Sequence, residues 1–245
     1  ENFSLLYDSI YSSKNYETEC NIITSVVGEN KKILDVGCGT GKHTSILSKT
    51  NKVVHGIDIS KDMIEVAKQK YLSLDNVSFE NICIDKYVLK NDEKYDAVIC
   101  MFNVVNHISK LKNLNKFLNS CSKKIKQNGY IIFDCWNSIA CAIEKPWPKT
   151  TDYKVINDDI CMITTLTDVD TMNSQANMKI TIESTTHGKK QADLKLDNLT
   201  LWSPRIFKEI LFDNGILTEN ILNFKDFKKN AKETDHRILF IGRKK

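Results

Sequence analysis

The sequence lacks the features that would place the protein in a membrane or on nucleic acid. No apolar run approaches the ~18 residues that a membrane-spanning helix needs, and no apolar stretch near the N-terminus has the pattern of a signal peptide. Lysine and arginine total 35 against 31 aspartates and glutamates, so the net charge is only +4. We therefore expect no membrane partner, and so small a positive excess argues against a nucleic-acid partner.

Cysteine is abundant but lacks the spacing of a metal site or a disulfide framework. The eight cysteines include no C-x-x-C pair, and no H-x-x-x-H pattern accompanies them. Several lie within apolar runs, as Cys83 and Cys100 do, where a free thiol behaves as a small hydrophobic group. We therefore expect no metal, reduced and buried thiols, and a cytoplasmic location.

The order of predicted strands and helices indicates the fold class. At 245 residues, 41% of them hydrophobic, the chain can bury a full core and needs only one domain. Strand-like and helix-like segments alternate over residues 17–137, which predicts right-handed crossovers and a doubly wound α/β sheet. The predicted strands are 32–36, 52–57, 77–84, 95–101 and 130–135, and the predicted helices are 17–27, 42–49, 61–71 and 111–125.

The pattern changes after the fifth strand. Over residues 146–202, polar residues alternate with β-branched ones between turn-like clusters, which predicts an antiparallel meander of about three strands. A helix capped by Ser203 and Pro204 follows, then two final strands, 216–224 and 237–242. Ligands of open α/β sheets bind at the carboxyl ends of the strands, so we expect the inserted meander to cover the binding site.

Residues 33–43, ILDVGCGTGKH, carry the strongest functional signal of the chain. A short apolar strand ends in three glycines at alternate positions, Gly37, Gly39 and Gly41, and a helix follows. Glycine tolerates positive φ and lets backbone N–H groups approach a ligand closely. A dinucleotide fingerprint would need its third glycine where Lys42 stands, so the spacing argues against a nicotinamide cofactor.

The pattern D-x-G-x-G-x-G, which starts at Asp35, resembles the first motif of class I S-adenosylmethionine (SAM) dependent methyltransferases. The resemblance covers roughly residues 30–137 and implies a Rossmann-like seven-stranded sheet with SAM as the cofactor. Asp35 and the backbone of Gly37 and Gly39 would then meet the methionine amino group and the sulfonium. The other residues of this region that the resemblance assigns to the cofactor are Cys38, Gly41 and Met101.

Two aspartates follow successive predicted strands. Asp58 follows the second strand, where a carboxylate can accept hydrogen bonds from both ribose hydroxyls, and Asp85 ends the third strand, in position to accept from the adenine amino group. Ile59 and Met63 are the candidate neighbours of the adenine ring. Each also has a plainer interpretation, since Asp58 would favour the N-terminus of its helix, Asp85 would suit a surface turn, and both apolar residues would suit a core.

A closer resemblance extends over nearly the whole chain. Residues 3–11 and 15–17 look like the N-terminal lid of the sugar N-methyltransferases that make dimethylamino sugars. Residues 95–107 are similar to the fourth-strand motif of that family, and residues 133–136 and 236–242 match it less tightly. The resemblance implies that the acceptor is the amine of a nucleotide-linked amino sugar or a similar small amine.

In those enzymes a lid tyrosine and a fourth-motif histidine face the sugar amine, and by position these are Tyr11 and His107 here. The amine must lose a proton, and imidazole titrates near neutral pH, so His107 is the candidate base and Tyr11 the candidate orienting group. Both also fit a packing role. Tyr16, Trp136 and Arg237 complete the predicted substrate site, with Arg237 as a candidate for a substrate phosphate.

The sequence thus predicts one methyltransferase domain in four parts: lid helices (1–30), a SAM-binding core (31–137), an inserted meander (146–202), and a C-terminal helix with two strands (203–245). A hydroxyl acceptor, an RNA acceptor and a non-catalytic nucleoside-binding module remain open as alternatives, as does a homodimer. Residues 103–106 read NVVN where base-methylating RNA enzymes carry N-P-P-Y, which argues against that acceptor. The intact glycines and strand-end aspartates argue against a non-catalytic module.

Overall fold

The structure is a computed structural model that describes residues 3–143, 147, 149–156, 159–184 and 192–245. Its strands are β1 (Lys32–Val36), β2 (Val53–Asp58), β3 (Val77–Asn81), β4 (Tyr95–Cys100), β5 (Ile125–Trp136), β6 (Thr150–Ile156), β7 (Asp159–Asp170), β8 (Gln175–Ser184), β9 (Ala192–Thr200), β10 (Ile216–Asn223) and β11 (Arg237–Lys244). Its α-helices are α1 (Phe3–Ile10), α2 (Tyr16–Val27), α3 (Lys42–Leu47), α4 (Lys61–Lys70), α5 (Leu111–Lys124), α6 (Ser138–Ile143) and α7 (Pro204–Asp213). Short 3-10 helices span Lys90–Asp92 and Val104–His107, and the latter is called the 104–107 turn.

Seven strands form one sheet in the order β10-β11-β5-β4-β1-β2-β3. The strands β1 to β5 run parallel to one another. The strand β11 lies between β5 and β10 and is antiparallel to both. Parallel neighbours require crossover connections, and here α3, α4 and α5 make three of them. In β4, Ala97 to Cys100 are fully buried because helices cover both faces of the sheet. The predicted Rossmann-like seven-stranded sheet is therefore confirmed.

The inserted residues form a second sheet of four antiparallel strands, β6-β7-β8-β9. The sequence predicted about three strands, whereas this sheet has four; five of the seven residues of β6 are exposed. As an edge strand it pairs with β7 alone. Pro146, the predicted start of the insertion, lies outside the described residues.

Two predicted element boundaries differ from the structure by three residues or more. The strand β3 ends at Asn81, three residues before the predicted end. The strand β5 begins at Ile125 rather than at residue 130, because Asn128 and Gly129 lie within the strand instead of ending the helix before it. Asn128 has φ +62°, and the pairing of β5 with β4 shifts register there, so these residues form an irregularity inside the strand. The helix α6 was not predicted.

Three aromatic side chains form the centre of one core layer. Phe133 of β5, Phe207 of α7 and Phe240 of β11 are fully buried, with ring centroids 4.9–5.3 Å apart. Burying each such side chain contributes roughly 1.5–3 kcal/mol, so this layer anchors the C-terminal strands to the central sheet. The lid helix α1 packs instead on the second sheet, through Leu6 and Ile10. None of the described helices is long and apolar enough to cross a bilayer.

Candidate active site

A cavity of 370 Å³ opens at the carboxyl ends of β1, β2 and β4. Ligands of open α/β sheets bind at this edge, where the strand order changes direction. Its walls come from the glycine turn (residues 37–41), the β2–α4 connection, the residues after β3 and the turn after β4. The lid contributes Tyr7. The predicted site residues that line this cavity are Gly37, Gly39, Asp58, Ile59, Met63, Met101 and His107.

The glycine turn requires glycine at two positions, where φ is positive and a side chain would collide with a different neighbour in each case. Gly37 has φ +75°, and a Cβ atom there would lie 2.6 Å from the side chain of Val104 in the 104–107 turn. Gly41 has φ +82° and caps α3, where a Cβ atom would meet the ring of Phe79 at 2.6 Å. Gly39, with φ +55°, has open space on its Cβ side, so this part of the turn faces the cavity. Gly41 therefore supports the turn and does not line the cavity.

The carboxylate of Asp58 closes the glycine turn from the β2 side. One oxygen accepts a hydrogen bond from the N–H of Gly39 (2.9 Å), and the other accepts one from the N–H of Ser60 (2.8 Å). An ionised carboxylate has about four acceptor positions, so both oxygens retain capacity for donors from a ligand. Beside it, the side chain of Ile59 is 77% exposed, and Met63 lines the same wall. This wall offers an anionic acceptor next to open apolar surface.

Two predicted cofactor residues lie behind the turn rather than in the cavity. Asp35 is only 1% exposed, its carboxylate accepts a hydrogen bond from the Thr44 hydroxyl (2.7 Å), and burial raises its pKa. Cys38 packs against Ile64 and Phe79, and burial raises the pKa of its thiol well above the ordinary value. Both side chains join the turn to the strand and helices that hold it. Their direct contact with the cofactor stays a prediction.

The third strand ends earlier than predicted, so Asp85 does not stand at its end. Because β3 stops at Asn81, Asp85 lies in the turn beyond it, while Cys83 and Ile84 line the cavity. The carboxylate of Asp85 pairs with Lys116, and the Cys83 thiol and Lys116 together lower the pKa of Asp85 to about 2. The side chain of Lys116 is 65% exposed, and such surface pairs contribute little free energy and exchange readily. A contact from Asp85 to adenine thus stays a prediction.

The opposite end of the cavity is formed by a strained turn after β4. Phe102 and Asn103 both have positive φ, +71° and +61°, which costs about 1–3 kcal/mol for each non-glycine residue. The fully buried carboxylate of Asp134 offsets this cost by accepting hydrogen bonds from both backbone N–H groups. Sequence reasoning missed Asp134, although a lone acid within the apolar run 131–135 is a signal. The turn directs Phe102 and His107 into the cavity wall.

Arg237 neutralises that buried carboxylate. Its Nε donates to Asp134 (2.6 Å), and its guanidinium carbon lies 3.8 Å from the ring centroid of Phe224 and 5.3 Å from that of Phe102. Arg237 does not line the cavity. This pairing gives the buried carboxylate beside the turn a charged partner. A contact from Arg237 to a substrate phosphate stays a prediction.

In the lid, Tyr7 lines the cavity, and Tyr11 lies one helical turn further along. The ring of Tyr11 packs against Tyr7 (4.8 Å between centroids) and edge-on against Phe102 (4.9 Å). Burial, followed by the carboxylate of Asp197, raises the pKa of Tyr11 to about 12. Sequence reasoning missed Tyr7, although its i, i+4 spacing to Tyr11 places both rings on one face of α1.

The two remaining predicted substrate residues pack elsewhere. Tyr16 is 9% exposed and meets His43 edge-on, with the Lys14 ammonium 4.0 Å from its ring centroid. Trp136 stacks on Trp147 at 4.9 Å, within an apolar cluster beneath the second sheet. Neither ring lines the cavity. A contact of Tyr16 or Trp136 with the substrate stays a prediction.

The second sheet is fastened to the 104–107 turn by side chains on both sides of His107. The Asn106 amide donates to the carbonyl of Thr200 (2.8 Å), and the Trp202 indole N–H donates to the carbonyl of Ile108 (3.0 Å). Between them, Nδ1 of His107 lies 3.2 Å from a carboxylate oxygen of Asp197 in β9. The lid, the turn and the second sheet therefore meet at one end of the cavity.

The family comparison agrees with this geometry. Residues 33–129 match the protein-family model described as "Methyltransferase domain". The match shows that residues 33–129 carry a methyltransferase domain, and the sheet order and the cavity at the glycine turn agree with it. S-adenosylmethionine is the cofactor of this domain.

Similar proteins include methyltransferases of several kinds. The ubiquinone biosynthesis O-methyltransferase of Hydrogenovibrio crunogenus is 31% identical over 110 residues, 44% of this chain and 44% of that protein. The sugar N-methyltransferase KedS8 from Streptoalloteichus has a TM-score of 0.82 and 17% identity, covering 100% of this chain and 93% of that one. The SAM-bound amino pentose methyltransferase CalS10 from Micromonospora echinaspora has a TM-score of 0.79 and 15% identity, covering 98% and 97%. The chain spans about half the length of the curated relatives it matches.

Proposed function

We propose that the protein transfers the methyl group of SAM to the amine of a small molecule, such as a nucleotide-linked amino sugar. The observation that carries this proposal is a single cavity that runs from the glycine turn and Asp58 to the imidazole of His107. A methyl donor and its acceptor must lie in contact for an in-line transfer. Holding two reactants in such geometry supplies about 7–11 kcal/mol of the barrier in favourable cases.

The glycine-turn end of the cavity fits the donor. Gly39 faces open space, the carboxylate of Asp58 has acceptor capacity for ribose hydroxyls, and the exposed side chain of Ile59 offers apolar surface to an adenine ring. A large apolar side chain left 77% exposed beside a cavity is typical of a ligand surface. When bound there, SAM supplies a methyl group on a positively charged sulfonium.

The opposite end fits a small amine. Tyr7 and Phe102 give it aromatic walls, and His107 presents an imidazole to the cavity. The imidazole would accept a proton from the acceptor ammonium, and the freed nitrogen lone pair would then bond to the methyl carbon as the methyl–sulfur bond breaks and leaves its electron pair on sulfur. Tyr11 contacts Tyr7 and Phe102 and so orders these walls.

Amine acceptors are favoured over hydroxyl acceptors by the fold comparison. KedS8 is a sugar N-methyltransferase and CalS10 an amino pentose methyltransferase, and their folds cover nearly the whole of this chain. The O-methyltransferase relative aligns over less than half of the chain, within the donor-binding part. The similarity to O-methyltransferases therefore bears on the donor more than on the acceptor.

The test is a methyl-transfer assay with SAM labelled in the methyl group. Acceptors are a set of nucleotide-linked amino sugars, the same nucleotides with hydroxyl sugars, glycine and bulk RNA. We expect label in the amino compounds and at least tenfold less in the matched hydroxyl compounds. Label in the hydroxyl sugars would identify an O-methyltransferase instead. Saturable SAM binding with no label in any acceptor would overturn the small-amine assignment.

A further inference from the structure

The second sheet contributes one largely buried carboxylate to the acceptor end of the cavity. Asp197 lies in β9, paired with Met178 of β8, and its side chain is only 15% exposed. Its carboxylate oxygen lies 3.2 Å from Nδ1 of His107, which lies in the 104–107 turn, 90 residues earlier in the chain. Burial of a carboxylate is costly without a polar partner, so this contact needs an explanation beyond surface charge.

The backbone on each side holds this contact in place. Thr200, three residues after Asp197, accepts a hydrogen bond from Asn106, and Trp202 donates to the carbonyl of Ile108. The flanking residues of His107 are therefore tied to the same strand end that carries the carboxylate. The imidazole of His107 lines the cavity and is 48% exposed, and on the protein side the Asp197 carboxylate lies beside its Nδ1.

We propose that Asp197 is a positioning residue that holds His107 as the Nδ1–H tautomer, with Nε2 directed to the acceptor amine. A neutral imidazole has one donor nitrogen and one acceptor nitrogen, and a carboxylate beside Nδ1 favours the hydrogen there. The lone pair of Nε2 is then available to accept the ammonium proton, and the carboxylate stabilises the resulting imidazolium. This inference rests on the proposed function, in which His107 receives that proton.

The same carboxylate also acts on the lid. After burial itself, its negative charge is the cause that raises the pKa of Tyr11, so the phenol stays protonated and able to donate a hydrogen bond. Asp197 thus acts on both residues that were expected to face the acceptor amine, Tyr11 directly after α1 and His107 in the 104–107 turn. Its charge also favours a cationic acceptor over an anionic one at this end of the cavity.

The first part of the test compares turnover in two charge-matched variants. Asp197→Asn keeps the shape of the side chain, whereas Asp168→Asn removes the same charge from an exposed position of the same sheet. We expect Asp197→Asn to lower kcat by about tenfold to a hundredfold, within the ~10²–10⁴ that a positioned base supplies, with the Kd of SAM unchanged. Asp168→Asn is expected to retain turnover. Equal turnover in both variants would overturn the proposal.

The second part measures the tautomer in the ligand-free protein, so it does not depend on finding the acceptor. The ring nitrogen signals of ¹⁵N-labelled histidine are recorded above the titration of the imidazole, and His107→Asn assigns them. We expect the Nδ1–H form in the native protein and loss of that preference in Asp197→Asn. A native Nε2–H form, or a tautomer unchanged in Asp197→Asn, would overturn the proposal even if turnover fell. If His107→Asn keeps full turnover while the Nδ1–H form is observed, the proposed base role fails and the positioning contact stands.

Discussion

At the donor end, most of the cavity wall comes from residues 36–63, whereas the acceptor end is assembled from the lid, the turn after β4 and the second sheet. The donor wall is fixed by backbone conformation, as at Gly37 and Gly41, and by a carboxylate that bonds to nearby N–H groups. The acceptor wall is fixed by contacts between side chains that are far apart in the sequence, as His107 and Asp197 are. One end is therefore set locally, and the other depends on how separate elements dock.

The donor end and the acceptor end of the cavity contact each other where Val104 lies against Gly37. Val104 of the 104–107 turn packs against the bare Cα of Gly37, so the absence of a side chain there lets the acceptor turn approach the donor turn. A Cβ atom at position 37 would lie 2.6 and 2.9 Å from the two methyl groups of Val104. This contact makes the separation of the two ends testable.

The largest effect is expected from Gly37→Ala. The substitution combines a left-handed backbone conformation, which costs a non-glycine residue about 1–2 kcal/mol, with overpacking against Val104 that costs about 1–3 kcal/mol. Displacement of Val104 also moves the turn that carries His107. We expect turnover to fall by at least a hundredfold and the Kd of SAM to rise, measured by single-turnover transfer and calorimetry.

Two further variants separate the backbone strain at positive φ from the collision with Val104. Gly39→Ala also places a side chain at positive φ, but its Cβ atom meets no protein atom, so it should lower the free energy of unfolding less than Gly37→Ala does. Gly37→Ala combined with Val104→Ala should recover part of the lost turnover, because the collision is removed while the strain remains. If the double variant is no better than Gly37→Ala alone, the two ends do not communicate through this contact.

The next largest effect is expected from Asp58→Ala and is confined to the donor end of the cavity. Asp58→Ala removes the acceptor for the N–H groups of Gly39 and Ser60 as well as for ribose hydroxyls. We expect the Kd of SAM to rise tenfold or more, with the KM of the acceptor amine unchanged at saturating SAM. Asp62→Ala, in the exposed first turn of α4, is the matched control and should leave both constants unchanged. Weaker SAM binding in the control would point to a general effect of charge.

The donor end was largely predictable from sequence because its geometry is local. Gly37, Gly39, Asp58, Ile59 and Met63 all lie within 27 residues of one another, and each was predicted to be near the cofactor. Alternating glycines require a turn, and strand ends of a parallel sheet share an edge. What local pattern could not give is which residues support the turn from behind: the side chain of Cys38 packs against Ile64 and Phe79, and Gly41 caps α3.

The acceptor end was predictable only in part because its geometry is set by docking. His107 was found, but nothing near Asp197 distinguishes it from a surface aspartate of an alternating strand. Its position follows from the pairing of β8 with β9 and the attachment of β9 to Asn106. Likewise Trp136 and Arg237 stand at strand ends, where a ligand was expected. Their partners, Trp147 and Asp134, became visible only in the folded chain.

The smallest effect is expected from Tyr11→Phe, which tests the acceptor end alone. Loss of one neutral hydrogen bond, about 1 kcal/mol, should raise the acceptor KM about fivefold and leave the Kd of SAM unchanged. The pKa of Tyr11 is raised from 10.0 to about 12, so the folded chain keeps a proton that the unfolded chain releases above pH 10. The free energy of unfolding therefore falls as the pH rises from 10 towards 12, and this fall should be shallower in Tyr11→Phe. Tyr153→Phe, 61% exposed on the second sheet, should keep the native slope, and an equal slope in both variants would exclude the shifted titration of Tyr11.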